Sequence, residues 1–167
     1  MRTRITAGAC ALALAIAVGS SAGCASDPLP VASTTTVDLS NPEQVISNAL
    51  ETMYTWNPTK EDSTKAAYQR ASIYLAGRLN DQAGGSPPPG DGSQWQEWRA
   101  AGASIVAKAY LVADETPPNS DSEMHRVVVI VQSAKTGDGK LVDELRTTAW
   151  VTANKANNAW RVTNIKL

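Results

Sequence analysis

Apolar residues recur at helical spacing early in the chain, where Val45, Ile46, Ala49, Leu50 and Met53 fall on one face of a 3.6-residue period. Ser40-Asn41-Pro42-Glu43 precedes them with the chemistry of a helix start. Ser or Asn accepts a bond from a free amide, Pro fits the first turn, and Glu43 stands three residues after Ser40 as a capping box requires. This spacing predicts a first helix to about Tyr54, ended by Asn57-Pro58, because a proline ring restricts the residue before it and removes a donor. A second start at Asp62-Ser63 leads into the stripe Ala67, Ala71, Tyr74, Leu75 and Leu79, which predicts a second helix. Arg78 falls near the end of that helix, its stem expected on the core and its charge turned toward the last carbonyls.

Asn80 to Ser93 contains Gly84-Gly85-Ser86-Pro87-Pro88-Pro89-Gly90-Asp91-Gly92 and predicts a mobile connector. One proline triplet between glycines reads as part of that connector rather than as a polyproline ligand. Trp95 and Trp98 then stand three apart on one side of a short helical turn, a spacing that suits packing better than base stacking. From Ala103 the period changes to two. Ala103, Ile105, Ala107, Ala109 and Leu111 alternate with Ser104, Val106, Lys108, Tyr110 and Val112. Met124 to Ser133 is apolar on both faces and should lie centrally. Leu141 to Thr152 and Ala159 to Leu167 complete four strands, with turns at 116–120, 136–139 and 154–158. Connections of hairpin length make the strands antiparallel, so the predicted class is α+β, with N-terminal helices packed on one face of a curved four-stranded antiparallel sheet.

The start of the chain reads differently. Arg2 and Arg4 precede a 14-residue apolar run, Ile5 to Val18, and small residues follow from Gly19 to Gly23. Fourteen residues of helix cover about 21 Å, short of the ~30 Å hydrocarbon core, so residues 1–23 read as a secretory signal peptide rather than a span. Ser21-Ala22-Gly23-Cys24 is similar to the lipobox of bacterial lipoproteins. That resemblance implies that Cys24 becomes the first mature residue and carries diacylglycerol as a thioether. The alternative is ordinary cleavage after Ala22, which leaves a free Cys24 near the new N-terminus. Cys10 is lost with the leader, so the exported chain holds no partner for Cys24, and an acylated Cys has a reason to stand alone there. Residues 24–40 read as a lipid-anchored flexible tether and 41–167 as the folded domain. Removal of both leader arginines takes the formal charge from −1 to −3, which argues against nucleic acid as a partner.

Several chemistries fail on residue count. With 2 Cys, 1 His and no Phe there is little material for a metal cluster or a Ser-His-Asp relay, and no cofactor is expected. Gly137-Asp138-Gly139-Lys140 resembles the end of a phosphate loop, yet Ala134 replaces the required Gly and Leu141 the required Ser or Thr. Asn119, Asp121 and Glu123 alternate like calcium ligands, but Met124 stands where the loop needs Gly. No Gly-x-Ser-x-Gly marks a nucleophile elbow. His125, in phase with Val127 and Val129, is read as a structural histidine. Were it a general base, Asp143 or Glu144 would be its expected partner.

Two helices, a tryptophan-bearing turn, four strands and the closing Ala159-Trp160-Arg161-Val162 with Ile165 resemble the cystatin-like cone of nuclear transport factor two-like domains over residues 41–167. Met53-Tyr54-Thr55-Trp56-Asn57-Pro58 and Asp62-Ser63-Thr64 look most like exported actinobacterial domains, similar to assembly factors of conjugation and type IV secretion machines. The resemblance implies a non-catalytic interaction module with an envelope protein partner, attached by lipid on Cys24 to the outer face of the cytoplasmic membrane. The alternative it carries is a hydrophobic-ligand or isomerase-like cone lined by Tyr54, Tyr74, Trp95 and His125. A binding cone requires a deep cavity with converging polar groups, and an interaction module requires a filled interior with an apolar outer patch.

Overall fold

The structure, a computed structural model, describes residues 38–85, 92–112 and 118–167. Four helices, α1 (Pro42–Tyr54), α2 (Lys65–Ala71), α3 (Arg78–Gly84) and α4 (Ser93–Ala100), precede four strands, β1 (Ser104–Val112), β2 (Glu123–Lys135), β3 (Leu141–Ala156) and β4 (Ala159–Lys166). The strands form one antiparallel sheet in the order β1-β2-β3-β4. This is the expected α+β class, with helices on an open sheet, and β2 and β3 both lie inside it.

Helix α1 forms where the period predicts, and its cap shows how local chemistry sorts itself. Asn41 rather than Ser40 is the cap, accepting from the backbone N–H of Gln44 at 3.1 Å. Ser40 instead donates its N–H to Asp38, and Glu43 leaves the capping box to pair with Arg126 of β2 at 2.6 Å. The carboxylate thus ties the first turn of α1 to the sheet. At the other end of α1, the buried Gln132 donates Nε2–H to the carbonyl of Tyr54 at 2.8 Å, satisfying one of the acceptors every helix leaves open.

The second helix departs from expectation. It stops at Ala71, passes through a 3-10 turn at Ser72–Tyr74, and breaks at Leu75-Ala76-Gly77 before α3 begins. The cause is tertiary. Leu75 forms a parallel bridge with Val162, Ala76 donates to the Val162 carbonyl at 2.9 Å, and Gly77 turns the chain with φ +55°, a region open to glycine. Arg78 therefore begins a helix rather than ending one, and it is exposed. Helix α3 also occupies the first part of the expected connector, and the proline triplet lies outside the described residues.

The core sits between α1 and the sheet. Val45, Ile46, Ala49, Leu50 and Met53 pack with Val128, Ile130, Ala149, Val151 and Val162, nearly all without solvent exposure. Hairpin chemistry fixes the register of β3 and β4. The turn needs only Asn157 and Asn158, with φ of 51° and 61°, the two-residue geometry whose twist matches the strands. It is shorter than the five residues expected, because β3 runs on to Ala156.

Candidate functional site

Period two divides the sheet residues between a covered face and an open one. On β2, Val128, Ile130, Gln132 and Ala134 meet the helix side, while Val127, Val129, Val131 and Ser133 point away from it. The register extends that open face to Val106, Lys108 and Tyr110 on β1, to Glu144, Arg146, Thr148, Trp150 and Thr152 on β3, and to Asn164 and Lys166 on β4. Among the described residues, none of these side chains belongs to the core clusters packed against the helices. Trp150 stands directly across from Val127, which is 7% exposed, while Trp150 itself is 51% exposed and Tyr110 57%. An open depression of about 410 Å³ is lined by Lys108, Tyr110, Val129, Val131, Glu144 and Arg146. A smaller one beside it is lined by residues that include His125, Trp150, Thr152 and Lys166.

His125 lies on this open face. Its Nε2 is 2.9 Å from Glu123 Oε1 and its Nδ1 is 3.3 Å from Thr152 Oγ1. An ionised carboxylate only accepts, so Nε2 carries a proton, and in the neutral ring Nδ1 accepts from the Thr152 hydroxyl. Bonds from Asn154 first and His125 second hold the Glu123 carboxyl below the ordinary glutamate value. The partners expected for His125 are elsewhere: Asp143 accepts from Gln94 at 2.5 Å and from Trp98 at 3.2 Å, and Glu144 pairs with Arg146. In β2–β3 register Asp143 and Glu144 face Ala134 and Ser133, at the far end of the strand pair from His125. The oxygen of Asn119 is likewise engaged, by the His125 backbone and Arg126.

The other candidate residues occupy the helix side. Tyr54 and Tyr74 pack on the main core cluster, and burial raises the Tyr54 phenol well above its ordinary pKa, with neighbouring Tyr68 adding to the shift. Trp95, at 1% exposure, meets Trp56, whose ring also contacts Tyr54 and Trp98, with centroids about 6 Å apart in each pair. Trp56 and Trp98 donate to Met53 O and Asp143, and Trp95 Nε1 has no hydrogen-bond partner among the described residues. The structure therefore joins Tyr54 to the tryptophans and puts His125 across the sheet from them. Cys24 and the segment joining it to residue 37 lie outside the described residues.

Both sheet edges are occupied over part of their length. On β1, Trp56 and Ile105 exchange backbone bonds of 3.0 and 2.9 Å, Thr55 Oγ1 accepts from Ala107 N–H, and Glu51 accepts from Ala109 N–H. On β4, Ala76 bonds the Val162 carbonyl, and Trp160 N–H donates to Leu39 O at 2.7 Å. Sequence reading missed Tyr110, Trp150, Arg146 and Lys166 as a set. The alternation on each strand was visible, but only the register brings them onto one surface.

Among the described residues no helix is long and apolar enough to cross a membrane, and no group of three or more His, Cys, Asp or Glu side chains is placed to hold a metal ion. No protein-family model, curated protein or solved structure matches the chain. What the architecture defines is the class: an α+β domain with helices on one face of an open four-stranded sheet.

Proposed function

We propose that this protein is a lipid-anchored, non-catalytic interaction module, held through Cys24 at the outer face of a bacterial cytoplasmic membrane as an accessory of an envelope assembly. The observation that carries the reading is the contrast between the two faces of the sheet. The helix-side face is filled by fully buried aliphatic side chains, whereas the other face presents Trp150, Tyr110 and Val106 to solvent, with Val129 and Val131 half-buried between them. Exposed apolar patches of this kind mark interaction surfaces. The ligand-cone alternative draws less support, because Tyr54, Tyr74 and Trp95 pack on the helix side and His125 lies on the opposite face. Resemblance to conjugation and secretion assembly factors supplies the envelope context, and the lipobox-like Ser21-Ala22-Gly23-Cys24 supplies the anchor.

Cell fractionation with lipid labelling tests the anchor. Wild type should carry labelled acyl chains and sediment with membranes, and Cys24→Ala should lose the label and leave the membrane fraction. An unlabelled wild type that stays with membranes as well as the variant does would refute it. Photocrosslinkers placed at Tyr110 and at exposed Ile73 on the helix side test the interaction surface. A crosslink from Tyr110, to protein or to lipid, supports the open face as an interaction surface, a protein crosslink from Ile73 adds a partner on the helix side, and no crosslink from Tyr110 counts against the reading.

A further inference from the structure

The open face differs in charge from the rest of the domain. It carries Lys108, Lys135, Arg146, Arg161 and Lys166 against Glu123 and Glu144, whereas the remaining described residues carry eight basic and ten acidic side chains. Two of its cations are partly answered: Arg146 lies 3.0 Å from Glu144, and Lys108 lies 3.3 Å from Glu51 of α1. Lys135, Arg161 and Lys166 have no ion pair among the described residues. Glu123 is engaged by Asn154 and His125. The face therefore combines unneutralised cations with exposed indole and phenol rings.

Tryptophan and tyrosine, each an apolar ring with a polar tip, favour the headgroup layer of a bilayer, and lysine and arginine beside them favour anionic headgroups. Strand addition is blocked where Ile105, Ala107 and Ala109 on β1 and Trp160 and Val162 on β4 are already bonded, and the open face remains as a broad surface for docking. Residues 24–37 separate Cys24 from the described domain. The chain joins the domain at Leu39, bonded to Trp160 at the start of β4, the strand that bears Arg161 and Lys166.

We propose that the open sheet face docks on an anionic lipid bilayer, with Trp150 and Tyr110 entering the headgroup layer and Lys166, Arg161 and Lys135 facing lipid phosphates. The helices then point away from the membrane, toward an envelope partner. This orientation rests on the lipid-anchor reading for its proximity to the bilayer, and the chemistry of the face is separate from it.

The test uses the full chain bound to vesicles whose phospholipids carry bromine near the headgroup, which quenches only fluorophores that reach the lipid. Residues 1–37 hold no tryptophan, so every signal comes from the domain, whether leader or acyl chain provides attachment. With phosphatidylglycerol vesicles the expected result is a quenched component that disappears in Trp150→Phe and falls by about five-fold in apparent affinity for each cation removed in Lys166→Gln and Arg161→Gln. Phosphatidylcholine vesicles should give little quenching. Co-sedimentation without quenching of Trp150 overturns the proposal, as does equal quenching on both lipids. Trp150 shielded by a second copy, read as a disulfide between Trp150→Cys chains, overturns it too. Mass spectrometry of Cys24 in the wild type reports the anchor separately, so failure of one reading is distinct from failure of the other.

Discussion

Thr55 Oγ1 accepts a 3.0 Å hydrogen bond from the backbone N–H of Ala107, joining the residue that ends α1 to the outer edge of β1. Trp56 and Glu51 bond the same edge on either side of it. An edge strand with free N–H groups is a template for another chain, and here a helix end supplies the blocking acceptors. Thr55→Val keeps the shape and removes the acceptor. The expected outcome is a loss of about 1 kcal/mol in denaturant unfolding, together with concentration-dependent association in sedimentation velocity. A variant that stays monomeric with unchanged stability would show that the bond does not guard the edge.

Leu50 is fully buried in the centre of the α1 face. Leu50→Ala removes its contacts and leaves a cavity, so unfolding should lose about 2–5 kcal/mol. Trp150→Ser, at a residue half exposed on the open face, should cost far less, since changes away from packed features stay within about 0.5 kcal/mol. Thermal or urea denaturation of both variants checks the contrast. Equal losses would mean that the two faces of the sheet do not differ as described.

Among the described residues Gln132 is one of two buried polar side chains, and it serves the Tyr54 carbonyl. Gln132→Leu keeps the bulk and leaves that carbonyl without its side-chain donor, for an expected loss of about 1–3 kcal/mol and faster amide exchange in the last turn of α1. Gln132→Glu is the useful comparison, because it keeps the size but cannot donate to the carbonyl while ionised.

The Glu123 carboxyl is held below its ordinary value of 4.5, chiefly by Asn154 and then by His125. A depressed carboxyl contributes stability above its unfolded-state pKa and loses that contribution as pH falls through the folded value. NMR titration should therefore place the Glu123 midpoint below 4.5. Asn154→Ala should move it upward, and the stability difference between wild type and this variant should shrink toward acid pH. A midpoint unmoved by Asn154→Ala would show that the bond does not set it.

Much of the fold was legible along the chain because its signals are local. The apolar period of α1, the change to period two near Ala103, and turn residues such as Gly139 at φ +85° each act within a few residues. The second helix was misjudged for the opposite reason. Its apolar stripe continues through Leu79, but β4 takes the backbone of Leu75 and Ala76, and a partner some 87 positions away leaves no mark on the local pattern. The same holds for His125, whose bonds to Glu123 and Thr152 depend on one neighbour two residues away and another 27 away across the β2–β3 pair.

By itself the sequence determined an α+β domain with helices before a four-stranded antiparallel meander, and it singled out Cys24 as the residue with a specific chemistry to expect. Those features follow from periodicity, turn propensity and residue order, which are written along the chain. Only the tertiary structure decided which face of each strand stays open, which groups close the edges, and that Trp150, Tyr110, Arg146 and Lys166 share one surface. Alternation specifies two faces equally well. Packing of α1 against Val128, Ile130 and Val151 breaks that symmetry, because burying the bulky apolar set against the helix leaves the other set in water.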